Sequence, residues 1–393
     1  MTIVRRDDLV SQLSTITIVE KEYQVYWTRF VVALLLAISS GMSSFILSTF
    51  IAIYFPAMDF FNTDNTGINM FSMVYMIFYL PSSLISVFWT ERFGVGSAIA
   101  VGALMNCLCN WVRFAGAFHP DANARYAIVL FGQCIAAFGQ PFLLNAPPRI
   151  ANDWFPIGER DYWMHVMTQA NNIGGAIGTV VPAYQVFIDP VTGAYSVHDI
   201  QMMLLWQSIA ATGIVVLSSI FVRDTPPTPP TADREIQQEL RPKLDTAQAL
   251  QKVKNMLVDF GSLLRHSNFM TLFSSFSLIL GVSWAFMAVV GQMIYPCGYD
   301  GKRHLRRSLP FTHTLVAVAI GWAGFSIGFT GVAGSFFLSQ VLRFYHNYVH
   351  VTQATIILSC AAGIWCLGAN RPGNLANVIA AWNGRLLSFK MFI

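Results

Sequence analysis

Residues 139–156 read GQPFLLNAPPRIANDWFP. A glutamine, two asparagines, four prolines and an arginine fall inside a strongly apolar neighbourhood. A helix that only fills space would avoid most of them. Polar groups at membrane depth need a partner or a cavity, and proline frees polar backbone one turn before itself. The stretch therefore reads as a membrane helix that lines a path, followed by a sharp corner.

The bulk numbers support that setting. The chain has 393 residues, of which 54% are hydrophobic and only 11% charged, with a mean hydropathy of +0.51. Soluble domains carry roughly 25% charged residues, so this chain cannot cover a soluble surface. The fold class expected is an all-α polytopic membrane protein. The net charge of +4 is small, and no basic run interleaved with aromatics suggests nucleic acid as a partner. The expected partners are the lipid bilayer and a small solute. Six cysteines, Cys107, Cys109, Cys134, Cys297, Cys360 and Cys366, show no zinc spacing, so no metal and no cofactor is expected. No GxSxG and no Walker loop appears, and the chain does not read as an enzyme.

Apolar stretches long enough to cross a bilayer fall at about 30–55, 68–89, 96–118, 126–149, 168–188, 201–222, 269–296, 312–338 and 349–368, with a tenth beginning near 375. Bases gather in the N-terminal tail and in the 2–3, 4–5 and 6–7 connections. The 1–2 and 5–6 connections carry acids and no base, which puts the N-terminus and the 6–7 loop in the cytosol. Lys302, Arg303, Arg306 and Arg307 dissent from this pattern. The segment Thr225–Pro230 is a stiff linker. Beyond it, Leu250, Val253, Leu257, Phe260 and Leu264 recur at helical steps, as in an amphipathic helix on the inner membrane face. The chain thus divides into a cytosolic tail (1–25), an N-terminal six-helix half (26–222), a cytosolic linker (223–268) and a partial C-terminal half of three to four spans (269–393).

Within the fourth expected span, Gln133 and Gln140 lie two turns apart on one face. Gln140 reads as substrate-facing because Pro141 opens the helix beside it; the competing reading is an amide that ties two helices. Asn145 and Pro147-Pro148-Arg149 end the span at a rigid corner, with Arg149 reaching to the inner surface. In the fifth span, Gly174 and Gly178 recur at four residues, a spacing that lets helices pack closely. Arg113 in the third span reads as snorkelling to the outer surface. Trp284 in the seventh reads first as packing, although its ring face suits a quaternary ammonium.

Several stretches resemble one family. Tyr26-Trp27-Thr28-Arg29-Phe30, Asn110-Trp111-Val112-Arg113-Phe114, FGQCIAAFGQPFLLNAPPRIANDWFP (131–156) and NNIGGAIGTVVPAY (171–184) are similar to the feline leukaemia virus subgroup C receptor family of the major facilitator superfamily. The resemblance implies a major facilitator fold, with the N-terminal six-helix half complete and the C-terminal half incomplete. It implies alternating-access transport of a choline-like cation or haem, with a non-transporting receptor-like or truncated product as the alternative. Gln140 matches the family's cavity glutamine and Trp284 its seventh-span aromatic. Leu47 stands where the family has a tryptophan. Glu91-Arg92-Phe93-Gly94 is a degenerate form of the facilitator gating motif.

Overall fold

The computed structural model describes residues 25–186, 195–228, 230–231, 245–267 and scattered positions between 269 and 337. Nine helices have bounds set by their own caps: α1 (Thr28–Ala52), α2 (Tyr54–Phe61), α3 (Asn65–Phe93), α4 (Val95–Gly116), α5 (Ala122–Leu144), α6 (Pro147–Trp154), α7 (Ile157–Gln185), α8 (Val197–Phe221) and α9 (Thr246–Leu263). A further apolar helix, α10, covers Gly324–Phe337.

Local chemistry sets the boundaries. Asp64 opens α3 by accepting from the Gly67 amide at 2.9 Å, and Asp121 opens α5 the same way through Ala124. Gly94 stops α3 at a φ of 96°, a backbone state that side chains with a Cβ rarely adopt. The next helix begins one residue later, and the Asp224 carboxylate accepts from the Gly96 amide at 2.7 Å. A carboxylate there also complements the positive end of α4.

Five stretches among the described residues are long and apolar enough to cross a membrane: Thr28–Ile51, Asn65–Phe93, Val95–Gly116, Ala122–Trp154 and Val197–Phe221. Helix α7 has the length of α3 but not its hydropathy. It opens on Glu159, Arg160 and Asp161, and it turns polar groups inward, where Asn171 donates to the Ser40 carbonyl at 2.9 Å. Its 29 residues span about 44 Å at helical rise, enough to cross. The bilayer-facing sides of the bundle are apolar, as Ile77 and Leu80 on α3 illustrate.

The closest packing joins α1 to α7. A Cβ at Gly174 would lie 2.0 Å from the Gly41 carbonyl oxygen, and one at Gly178 would lie 2.8 Å from Phe45 backbone. The two backbones touch because neither glycine has a side chain. Helices α4 and α5 meet in the same way: a Cβ at Gly139 would strike Met105, and one at Gly102 would strike Leu143.

The bundle has two distinct ends. At one, Arg125 donates to the Phe60 carbonyl at 2.7 Å and Tyr126 to the Gly67 carbonyl at 2.9 Å. At the other lie Arg92, Arg149, Arg160, Arg223 and Lys252. The second end is the basic one, which the positive-inside reading of the sequence assigns to the cytosol.

Candidate functional site

The site is built on α5. At Gln133 the amide is fully spoken for. Its oxygen accepts from the Tyr75 hydroxyl at 3.3 Å, and its nitrogen donates to the Ile46 carbonyl at 3.5 Å. The residue has no exposed surface. Two turns further on the same face sits Gln140, 4% exposed. Among the described residues no hydrogen bond reaches its amide. Pro141 lies within α5 without ending it. The sequence placed both glutamines on one face; the structure ties Gln133 to two neighbouring helices, and no hydrogen bond among the described residues does the same for Gln140.

Asn145 closes the helix. Its side-chain nitrogen donates to Ser86 at 2.8 Å and to Ser83 at 3.1 Å, tying the end of α5 to α3. The apolar stretch Ala122–Trp154 is not one helix: α5 stops at Leu144, and Pro147 and Pro148 start the separate helix α6. Proline suits the first turn of a helix, where no amide partner is required. Arg149 does not simply reach for the surface. Its Nε pairs with Asp153 one turn on at 3.2 Å, and its Nη1 stands 3.8 Å from Glu91. Glu91 in turn takes Lys252 of α9 at 2.7 Å, while Arg92 donates to Thr246 at 3.2 Å. Glu91, Arg92 and Arg149 thus form one charged knot at the basic end, shared between α3, α6 and the linker helix.

Arg113 corrects the sequence reading. It does not snorkel: it is fully buried. Its Nη1 donates to Asn110 Oδ1 at 3.3 Å and to Gln207 Oε1 at 3.4 Å, and its guanidinium lies 5.0 Å from the Phe50 ring centroid. Gly132 leaves room for its stem, since a Cβ there would lie 2.9 Å from Arg113 Cγ. The reason is competition: a ready set of neutral acceptors and a ring face holds the cation inside the bundle.

From Arg113 a polar thread runs through the helices. Thr49 donates to Gln207 at 3.4 Å, Asn110 to the Asn106 carbonyl at 2.8 Å, and Asn106 to the Ser39 carbonyl at 3.2 Å. Ser39 and Ser218 hydroxyls meet at 3.3 Å. The sequence reading passed over Gln207 and the buried run Ser39, Ser40, Ser43, Ser44, Ser48 and Thr49 of α1. The signal was available: serines spaced three to five residues apart in a membrane helix mark its protein-facing side. Leu47 is buried in a cluster with Tyr75 and Ala137, on the side of α5 that carries the glutamines. Trp284, and the basic run 302–307, lie outside the described residues. Among the described residues no group of three metal-ligating side chains occurs.

One contact joins the N-terminal helices to α10. Cβ atoms at Gly321 and Gly324 would press on Thr179, and one at Gly328 on Ala176; Ser335 stands 3.3 Å from His165 Nε2. The two helices run along each other through most of their length.

Comparison with known proteins adds the following. The sequence model of the Major Facilitator Superfamily matches residues 32–389. The choline/ethanolamine transporter FLVCR1 of Felis catus is 24% identical over 331 residues, covering 84% of this chain and 54% of that protein. The choline/ethanolamine transporter FLVCR2 of Rattus norvegicus is 28% identical over 239 residues, covering 60% and 41%. The chain thus spans about half the length of the curated relatives it matches. In fold it is similar to a bacterial homologue of the human lysosomal transporter Spinster in its inward-facing, unoccupied conformation. The TM-score is 0.58 at 11% identity, covering 94% of this chain and 75% of that one.

Proposed function

Because the chain belongs to the Major Facilitator Superfamily, we propose that it is part of a transporter that carries a small organic cation of the choline type across a membrane by alternating access. The observation that carries the reading is Gln140: it is 4% exposed and lies on the glutamine face of α5, where Gln133 is tied to two neighbouring helices and no described hydrogen bond ties Gln140. An amide at membrane depth needs a partner, and one that no described helix supplies can come from a solute. A hydroxyl on a choline- or ethanolamine-like solute would supply that partner. The names of the relatives point the same way.

Roles follow from position. Gln140 orients the solute, and Pro141 loosens the backbone beside it. Asn145 fixes the inner end of α5 against Ser83 and Ser86. Glu91, Arg92 and Arg149 close the cytosolic end when the two halves approach. Gly174 and Gly178 let α7 lie flush on α1, so that the N-terminal helices rock as one body. Haem is the other solute the family resemblance allows. The choline-type reading is preferred because the relatives that the chain resembles are named choline/ethanolamine transporters. Leu47 in place of an aromatic removes one ring face from any cation cage.

Uptake into vesicles holding this chain decides the matter, with radiolabelled choline, ethanolamine and haem each presented alone. Choline flux above empty vesicles, with a half-saturating concentration that Gln140→Ala raises, is the expected result. Haem flux without choline flux would move the substrate assignment. No flux of any of the three would overturn transport by this chain and favour a non-transporting receptor-like product.

A further inference from the structure

The linker helix α9 has a use that the solute path does not absorb. We propose that α9 lies in the cytosolic surface of the bilayer and binds its anionic lipid headgroups, with its apolar face among the acyl chains.

Two anchors fix its depth. Near its start, Arg92 at the inner end of α3 donates to Thr246, and Lys252 pairs with Glu91. Ala249 is buried there. Towards its other end, the Phe260 ring sits 6.4 Å from Phe269 and 6.1 Å from Phe273. Phe269 and Phe273 open the apolar stretch that reads as the seventh span. The first anchor stands at the end of α3, a helix long and apolar enough to cross a membrane, and the second at the start of the next stretch that reads as a span. A helix of 18 residues, about 27 Å long, that joins the foot of one such stretch to the foot of the next is placed to run along the surface.

The face it presents suits lipid. Taking Leu250 as zero at 100° per residue, Leu257, Leu264, Val253, Phe260, Met256 and Leu263 occupy an arc reaching to about −140°. Leu250, Leu257 and Phe260 are 62%, 47% and 42% exposed, so little of the protein covers them. Lys254 lies at about +40° and Lys252 at about −160°, one on each edge of the apolar arc. Lysines on both borders of an apolar stripe are the arrangement of interfacial helices, whose stems lie along the acyl boundary and whose ammonium groups reach phosphates. Lys252 is held by Glu91, which leaves Lys254 and the exposed Arg265 to meet anionic headgroups. The opposite side carries Gln248, Gln251, Asn255, Asp259 and Ser262, all exposed and facing water. Because Glu91 also faces Arg149, the surface helix is tied directly to the inner charged knot.

The test places a cysteine-linked, polarity-sensitive fluorophore at Leu257→Cys and, separately, at Asn255→Cys. The unsubstituted chain supplies the labelling blank. Each variant goes into vesicles of phosphatidylcholine, with and without phosphatidylserine. Lipids brominated on the acyl chain quench from within the bilayer and iodide quenches from water. The expected result is bromolipid quenching about twofold stronger at 257 than at 255, reversed for iodide, and increased by phosphatidylserine. Lys254→Glu should cancel the increase with phosphatidylserine and leave quenching in pure phosphatidylcholine unchanged. Iodide quenching at 257 equal to that at 255 would put the face in water and overturn the proposal. Protection of 257 from both quenchers would mean that protein covers it, and would overturn it equally. Quenching by bromolipid that ignores phosphatidylserine would overturn the headgroup assignment. None of these readings depends on which solute is carried.

Discussion

The Lys252 ammonium stands 2.7 Å from a carboxylate oxygen of Glu91, across the joint between the linker helix and the inner end of α3. The other Glu91 oxygen faces Arg149 at the longer distance of 3.8 Å. One carboxylate thus serves two cations, and the linker's claim is the shorter.

Lys252 is largely exposed, so its pair with Glu91 contributes at most about 1 kcal/mol to stability. Lys252→Met is expected to leave the melting temperature nearly unchanged. It should raise the rate of proteolysis in the linker beside Thr231, because α9 loses its hold on α3. Glu91→Gln removes both partners at once and should show the same proteolysis with a larger fall in any flux. Equal proteolysis in the parent and in Lys252→Met would mean that the pair holds nothing.

Arg113 is a cation enclosed by neutral groups. Its described polar contacts are two amide oxygens and the Cys109 thiol, and Nε and Nη2 are buried without a hydrogen-bond partner among the described residues. Burying such a charge opposes folding, and an apolar side chain of similar length often does as well or better. Arg113→Met is therefore expected to unfold at the same temperature as the parent or above it. Arg113→Lys keeps the charge but loses the planar fork that spans Asn110 and Gln207, and should be less stable by about 1–2 kcal/mol. Thiol labelling of the buried Cys107 and Cys109 on heating reads the unfolding directly. A Met variant less stable than the Lys variant would show that the charge itself is needed for the fold.

Much of this architecture was legible in the order of residues. Hydropathy gave the long helices, and the step of three and four in 246–263 gave the helix α9, because both follow from local period. Gly174 and Gly178 announced close packing by their spacing. What sequence could not supply was pairing in space. Arg113 near a helix end reads as snorkelling only if nothing inside competes, and Gln207, 94 residues away, does compete. Gln133 and Gln140 are alike in one dimension and differ only once Tyr75 and the Ile46 carbonyl are placed around the first. Proline at 147 and 148 was read as an ending when it is also a start, since the two signals use the same residue.

Glycines test the packing in both directions. Gly174→Ala puts a methyl group 2.0 Å from the Gly41 carbonyl, so α1 and α7 must separate. The expected loss is about 1–3 kcal/mol, with lower expression as a folded species in detergent. Gly213 on α8 meets nothing within 4 Å. Gly213→Ala should be neutral or gain up to about 1 kcal/mol from helix propensity. Both effects are read from thermal unfolding of the purified variants. Equal destabilisation at 174 and 213 would remove the claim that the α1–α7 contact limits stability.

Gln140 separates binding from architecture. The amide is buried and has no hydrogen bond among the described residues, so replacing it removes no internal tie. Gln140→Ala should melt within about 1 kcal/mol of the parent, because no described tie between helices is lost. Gln133→Ala is the control. It breaks the bonds to Tyr75 and Ile46 and leaves the Tyr75 hydroxyl without its acceptor, so it should lose about 1–3 kcal/mol. Transport should sort the two in the opposite order. In Gln140→Ala the apparent constant for choline should rise about tenfold, the value of one hydrogen bond to a charged or hydroxylic solute. In Gln133→Ala it should stay near the parent value in whatever fraction folds. The discriminating measurement is therefore a pair of numbers for each variant, a melting temperature and a concentration for half-maximal uptake. If Gln140→Ala lowers the first and leaves the second alone, its amide is a helix tie and the solute lies elsewhere.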